Sequence, residues 1–525
     1  MTVARNPVLP GCYPDPSICR AGDDFYLVTS TFEYLPGLPV LHSRDLVRWE
    51  QVGHVVERPG QLDYAGVRAS GGLYAPTLRH HDGVFWLVCT LVGTPDGAPE
   101  GNFVMTATDP AGPWSDPVWL RDEDGTPVAG IDPSLFFDDD GRVWLHGTRL
   151  AAEPEWEQQT EVWVRELDPV RRCVVGEEHV VWTGAVRGAV WAEGPHLYRV
   201  DGTYYLLAAE GGTDFHHAVS VARAPSVTGP YEGSKANPVL THRHLGRGAD
   251  VVGVGHADLV EAVDGSWWAV LLGMRTEGGY HYPLGRETFL APVAWEDGWP
   301  VLAPGAGRVP AEVDVPFAAD DAAPGPVQGA ASGVVPPGDP RWTAVRALPS
   351  EVATPRGDGW DLPVRPASVA DRAAPAFLGI RLQHREADVR AAVLADLPAG
   401  ETVGLVVRQS DDDHVRLDVT GGDDPRAVAV HRQAGQETVL GEAVLPGARG
   451  DVVTLGLDAR GAELVLVAGV GDGPLAPVAV ADARTLDSVA TGGFLGLWVG
   501  VHATSHGRPT TSVARVERVT SVPRD

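Results

Sequence analysis

The 525-residue chain is short of several things, and each shortage excludes a class of function. It has four cysteines, Cys12, Cys19, Cys89 and Cys173, with no C-x-x-C spacing, so neither a disulfide scaffold nor a thiolate zinc site is expected to organise it. Reduced, buried thiols are the expectation, and they suit the cytoplasm. No run of about 18 apolar residues is available to span a membrane as a helix. The start, Met1-Thr2-Val3-Ala4-Arg5-Asn6-Pro7, lacks the apolar stretch of a secretion signal. Basic residues are outnumbered, 41 Lys and Arg against 70 Asp and Glu, for a formal net charge of -29. Nucleic acid and anionic membrane surfaces would be repelled as partners, and neutral ligands remain. There is no H-E-x-x-H, P-loop, dinucleotide fingerprint or G-x-S-x-G element, which removes the commonest metallopeptidase, nucleotide and serine-hydrolase readings.

What the chain has is a repeated hairpin. Tyr13-Pro14-Asp15-Pro16-Ser17-Ile18 leads into a turn at Ala21-Gly22-Asp23-Asp24 and the apolar run Phe25-Tyr26-Leu27-Val28. A carboxylate between two prolines cannot sit in a helix, because each proline fixes its own φ and biases the residue before it towards extended chain. The same turn-and-strand unit recurs at Asp82-Gly83, Asp140-Gly141, Asp201-Gly202 and Asp264-Gly265, each followed by a β-branched and aromatic run. Hairpins spaced about 60 residues apart predict a repeat of antiparallel units, and a five-bladed β-propeller buries both faces of such units while leaving few open edges. Counting back about a dozen residues from each hairpin's aromatic pair reaches Asp15, Tyr74, Asp132, Glu193 and His256, give or take one. Equivalent positions on the first strand of each blade line the central channel.

Those positions carry chemistry. An aspartate beside proline, taken singly, is an ordinary turn former; three carboxylates at matched register in five repeats are a site. Converging carboxylates repel, so the least solvated keeps its proton to higher pH, and that separation into acid and base is what glycoside hydrolysis requires. Arg286, in Leu284-Gly285-Arg286-Glu287-Thr288-Phe289, is the basic group expected beside them, to bind a sugar hydroxyl and hold a neighbouring acid ionised; the alternative is a salt-bridged surface arginine. His256 is either a ligand to a metal or water in the channel or a hydrogen-bonded structural residue. Phe32 and Tyr74 offer an apolar wall for a sugar face.

These motifs, together with Leu41-His42-Ser43-Arg44-Asp45-Leu46-Val47-Arg48-Trp49, Glu193-Gly194-Pro195-His196-Leu197-Tyr198 and Gly255-His256-Ala257-Asp258-Leu259-Val260, resemble glycoside hydrolase family 43, in its two-domain β-xylosidase and α-L-arabinofuranosidase group. The resemblance implies an inverting hydrolase with Asp15 as base, Glu193 as acid and Asp132 tuning the acid and orienting substrate. It implies Arg286 on the glycone, His256 near a channel water or Ca2+, no required cofactor, and an aromatic lent by the second domain, for which Trp498 is the candidate. An inverting pair is expected about 6.5–9.5 Å apart. The expected substrate is the terminal β-D-xylose of short xylo-oligosaccharides; the alternative is an α-L-arabinofuranosidase, or both activities in one pocket, on arabinose-substituted oligosaccharides. A binding propeller without catalysis would have lost a carboxylate, and all three are present.

The domains read as a propeller over 1–312, an Ala, Pro and Gly-rich linker over 313–341 and, over 342–525, a β-sandwich, which the resemblance implies is concanavalin-like and closes the pocket. Self-association is left open by the sequence.

Overall fold

A computed structural model describes residues 2–317 and 333–524. It is all-β because the apolar runs are short, β-branched and cut by Gly and Asp turns. Among the described residues the only α-helices are the single turns Pro349–Val352 and Ser488–Thr491.

The first domain is five antiparallel sheets laid down one after another, with strands in chain order in each. The innermost strands are Ser17–Ala21, Gly72–His81, Ile131–Phe137, Glu193–Val200 and Val251–Glu261. Each packs against the next, and the fifth returns to the first. The strand Thr2–Arg5 pairs with Glu312–Val315, tying the ends of the domain together. The hairpin turns, Asp-Gly in four of the five, follow each innermost strand, so they lie at the end away from Asp15, Asp132 and Glu193. Loops from second to third strands, and those entering the next sheet, therefore open on the carboxylates' side.

The second domain stacks two antiparallel sheets, one running Thr354–Arg356, Gly359–Pro363, Val513–Pro523, Glu386–Leu394, Val452–Arg460, Glu463–Val470, Ala476–Asp482 and the other Ala376–Arg381, Trp498–Thr504, Thr402–Arg408, His414–Thr420, Arg426–Gln433, Gln436–Val444. Alternation along Glu386–Leu394 buries Val389, Ala391 and Val393 between them. The run 492–497 is a turn and loop, and the strand begins at Trp498.

The expected linker is shorter on both sides. Residues 313–315 belong to the strand that closes the first domain, and Gly333–Val334 pairs with Val513–Pro523. Residues 318–332 of that linker lie outside the described residues. Three cysteines are buried as expected; Cys173 is half-buried, because it begins the outermost strand of its sheet, and all four are free thiols.

The two domains are locked together. Ala344–Val345 pairs with Tyr34–Leu35, and Trp498 stacks on Tyr34 at 4.0 Å. The fully buried Arg408 donates to the Tyr34 hydroxyl at 2.7 Å and to Asp411 at 2.6 Å, and lies 3.4 Å from Glu33. Arg346 makes two further bonds to Asp411 and one to the Val67 carbonyl. Buried charges are tolerable only when paired in this way. The lock fixes the loop 492–497 over the first domain's channel.

Candidate active site

Four of the five innermost strands carry an irregularity at the same level. The ladder shifts between Tyr74 and Thr77, Ile131 and Ser134, Glu193 and His196, and Gly255 and Asp258; in the first sheet it starts only at Ser17. Asp15, Asp132, Gly194 and His256 adopt φ of 54°, 55°, 54° and 49°. Such backbone is costly for non-glycine residues and concentrates at functional sites. The kink turns the Asp15, Asp132 and His256 side chains into the channel. In the second and fourth sheets Tyr74 and Glu193 precede that position by one, a one-residue slip from the expected register. Gly194 has no freedom to change: a Cβ there would lie 2.8 Å from the His256 ring, as well as at positive φ.

The pocket so formed is small, about 70 Å3, and lined by Asp15, Phe32, Tyr74, Ala75, Ile131, Asp132, Glu193, Thr213, His256, Arg286 and Phe494. Every residue nominated from the sequence is in it except Trp498. That side chain is fully buried between the domains against Tyr34, because strand alternation turns it inward. Phe494 takes the place proposed for it. The glycines Gly492 and Gly493, at φ 75° and 74°, throw the chain over the mouth, and the Phe494 N–H donates to Ser70 Oγ at 3.0 Å. Phe494 then stacks on Phe32 at 6.0 Å and meets Tyr74 edge-on at 5.8 Å, with Phe32 and Tyr74 5.5 Å apart. Three rings from three segments make one apolar wall.

Arg286 is no surface arginine. It is buried, donates from Nη1 to Asp15 Oδ1 at 2.9 Å and to Thr213 Oγ1 at 3.2 Å, and from Nη2 to the Phe494 carbonyl at 3.3 Å. Its Nε has no protein partner. Ser30 Oγ donates to Asp15 Oδ2 at 2.6 Å, and His256 Nδ1 lies 3.8 Å from Asp15 Oδ1. Burial alone would raise the Asp15 carboxyl, but Arg286, His256 and the Ser30 hydroxyl outweigh it and hold it below the usual aspartate range. Asp132 lacks an arginine of its own. Burial and the neighbouring Asp15 charge push it up to about 6, against His256 and the Gly194 N–H that donates to its Oδ2 at 3.0 Å. Glu193 is the most proton-avid: burial raises it well above the usual range, and the Asp132 and Asp15 charges raise it further. No hydrogen bond joins Asp15 to Glu193 among the described residues. The arrangement is one ionised carboxylate and one protonated acid facing a common small cavity.

Ser30, Thr213, Ser70 and Phe494 were not nominated from the sequence. Ser30 was within reach: the pairing Ser17 to Val28 continues to Asp15 opposite Ser30, and Ser30 N–H indeed donates to the Pro14 carbonyl. Below the pocket, Asp258 accepts from Arg79, Tyr198 and Ser17 at 2.8, 2.6 and 2.7 Å, a buried pillar joining four sheets.

Around His256 the donors do not fit a calcium site. Ca2+ takes six to eight oxygen ligands, and no group of three His, Cys, Asp or Glu side chains suited to a metal occurs among the described residues. Calcium enters no step below.

A family model described as Glycosyl hydrolases family 43 matches residues 4–300, and one described as Beta xylosidase C-terminal Concanavalin A-like domain matches residues 337–520. The chain is 39% identical over 530 residues to the xylosidase/arabinosidase of Butyrivibrio fibrisolvens, over 97% of each chain. It is 35% identical over 538 residues to the non-reducing end alpha-L-arabinofuranosidase BoGH43B of Bacteroides ovatus, over 97% of this chain and 93% of that one. Among solved structures, xylan beta-1,4-xylosidase from Bacillus halodurans C-125 matches with a TM-score of 0.87 at 30% identity, covering 99% of this chain and 100% of that one.

Proposed function

The chain belongs to glycosyl hydrolase family 43, and from that premise we propose that it is an exo-acting inverting glycoside hydrolase that releases terminal β-D-xylose from short xylo-oligosaccharides. In this reading the five sheets are the blades of a β-propeller whose axis carries the site. The observation that carries the proposal is the split between an Asp15 held ionised by Arg286 and a Glu193 kept protonated by burial and Asp132.

Asp15 takes a proton from a water attacking the anomeric carbon, while Glu193 gives its proton to the leaving oxygen on the other face. Asp132 keeps Glu193 loaded. Arg286, with a free Nε and two engaged Nη groups, presents a donor to a glycone hydroxyl. The triad Phe32, Tyr74 and Phe494 blocks the cavity beyond one sugar and excludes bulk water, which strengthens every charge inside. Free thiols and an acidic surface fit a cytoplasmic enzyme fed with small oligomers.

A second reading, α-L-arabinofuranosidase or both activities together, is favoured by the relatives whose names join xylosidase with arabinosidase or give arabinofuranosidase alone. Nitrophenyl β-D-xyloside and α-L-arabinofuranoside assayed side by side decide between them. Reaction NMR tests the mechanism: the first-formed sugar has the opposite anomeric configuration to the substrate. A retained configuration removes Asp15 as a base.

A further inference from the structure

A basic rim stands beside the pocket of this acidic protein. The exposed Arg247 places its guanidinium 4.8 Å from the Phe215 ring centroid and 4.4 Å from that of Tyr280. The two rings meet edge to face at 5.8 Å, and Tyr280 meets Tyr282 in the same way at 5.8 Å. Each element of the clasp also delivers a pocket residue. Phe215 shares the loop between Thr203–Glu210 and Ala218–Ala224 with Thr213, Tyr280 shares the loop before Glu287–Glu296 with Arg286, and Arg247 lies in the segment entering Val251–Glu261, which carries His256.

Several exposed arginines elsewhere are neutralised, as Arg44 is by Asp24, Arg171 by Glu123 and Arg187 by Glu155. Among the described residues the Arg247 guanidinium has its two rings and neither a hydrogen bond nor an ion pair. Arg243 and His244 precede it in the same segment, and Arg308 lies close enough to His242 to oppose its protonation, as His244 does, alongside burial. The acidic groups nearby include Asp214, which accepts from the His216 N–H at 2.9 Å, Asp250, and Asp487, which accepts from the Tyr282 N–H at 2.8 Å. The net charge of -29 belongs to the whole chain, and at physiological salt exposed charges are screened beyond about 8 Å.

Stacking fixes the plane of a guanidinium and leaves its edge donors free. That fork matches a carboxylate, to which it makes charge-assisted bonds that a neutral hydroxyl cannot equal. We propose that Arg247 is a binding residue for the carboxylate of a uronic acid carried on the leaving-group side of the oligosaccharide, so that acidic, uronate-substituted oligomers are favoured substrates. This rests on the xylosidase reading above.

The experiment compares kcat/KM on xylotriose and on xylotriose bearing a glucuronosyl branch, its non-reducing xylose unsubstituted, for the wild type, Arg247→Ala, Arg247→Lys and the distant control Arg171→Ala. The ratio of acidic to neutral substrate is expected to fall about tenfold in Arg247→Ala, the lower end for a hydrogen bond to a charged group. It falls less in Arg247→Lys, stays put in Arg171→Ala and declines with added salt in the wild type. Titration calorimetry of the branched oligosaccharide with Glu193→Gln, with and without Arg247→Ala, reads binding without turnover. Wild-type failure to cleave xylotriose would strike the xylosidase reading, while the calorimetry still judges the rim. An unchanged ratio in Arg247→Ala, equal losses on both substrates, or absence of binding by the branched sugar would overturn the proposal.

Discussion

Replacing Asp132 with asparagine should move both limbs of the pH profile towards acid. Asp132 lies against the chain that carries Glu193, its Oδ2 accepting from the Gly194 N–H at 3.0 Å, and its charge is among those that raise Glu193. At an effective dielectric near 20, two like charges about 6 Å apart repel by about 2.8 kcal/mol, or roughly two pKa units. Asparagine keeps the amide contact and removes the charge, so Glu193 should give up its proton about two units earlier and the basic limb of kcat/KM should fall by that amount. The acid limb should fall as well. In the wild type it contains the ionisation of Asp132, pushed up to about 6; in the variant only Asp15 remains, held below the usual aspartate range by Arg286, His256 and Ser30 against its burial. The apparent values belong to the coupled set of carboxyls, and the assay is therefore the shift of each limb on an unactivated oligosaccharide. A variant that loses activity at all pH values, with both limbs in place, would refute the electrostatic role of Asp132 and leave it a substrate contact alone.

Other consequences follow from the same contacts. In the Asp132→Asn background, Ser30→Ala removes the 2.6 Å bond to Asp15 Oδ2; at about 1.5–3 kcal/mol the acid limb should rise by about one to two units, and Ser30→Thr should restore it. Phe494→Ala should raise KM with little change in melting temperature, whereas Trp498→Ala, truncating a fully buried ring, should cost about 3–5 kcal/mol of stability, read by urea unfolding. Asp258 is held below its ordinary range by Arg79 and its other donors against burial. Its folded value is depressed, so it adds stability above the unfolded value of about 3.9 and loses it as pH falls further. The stability gap between the wild type and Asp258→Asn, about 3–5 kcal/mol with Arg79 left unpaired, should therefore narrow in acid.

The parts of the site legible in the sequence were those written into local geometry. Asp15 and Asp132 announce themselves because each stands before proline at the head of a repeated hairpin unit, although the left-handed φ each adopts is not the extended geometry that proline favours. The one-residue offset of Glu193 was hidden, since the bulge that produces it depends on pairing across the sheet. Arg286 was found by its motif, but its bond to Asp15 spans 271 residues and comes only from closing the ring of strands. The resemblance implied an aromatic from the second domain without fixing which, and Trp498 lies four residues from Phe494. The pair Gly492-Gly493 just before Phe494 was the overlooked signal, since two adjacent glycines are turn chemistry and argue against an unbroken strand there. The buried lock of Glu33, Arg408, Asp411 and Arg346 had no local signature, since its members are ordinary charges until two domains meet.

The central claim, a proton-donating Glu193 opposite a proton-accepting Asp15, is tested most directly by the dependence of Glu193→Ala on the leaving group. Hydrolysis of xylobiose, whose leaving oxygen needs the proton, should fall by several orders of magnitude, while an activated aryl xyloside such as the dinitrophenyl derivative should retain most of its rate. Equal losses on the two substrates would contradict the assignment and the division of labour built on it.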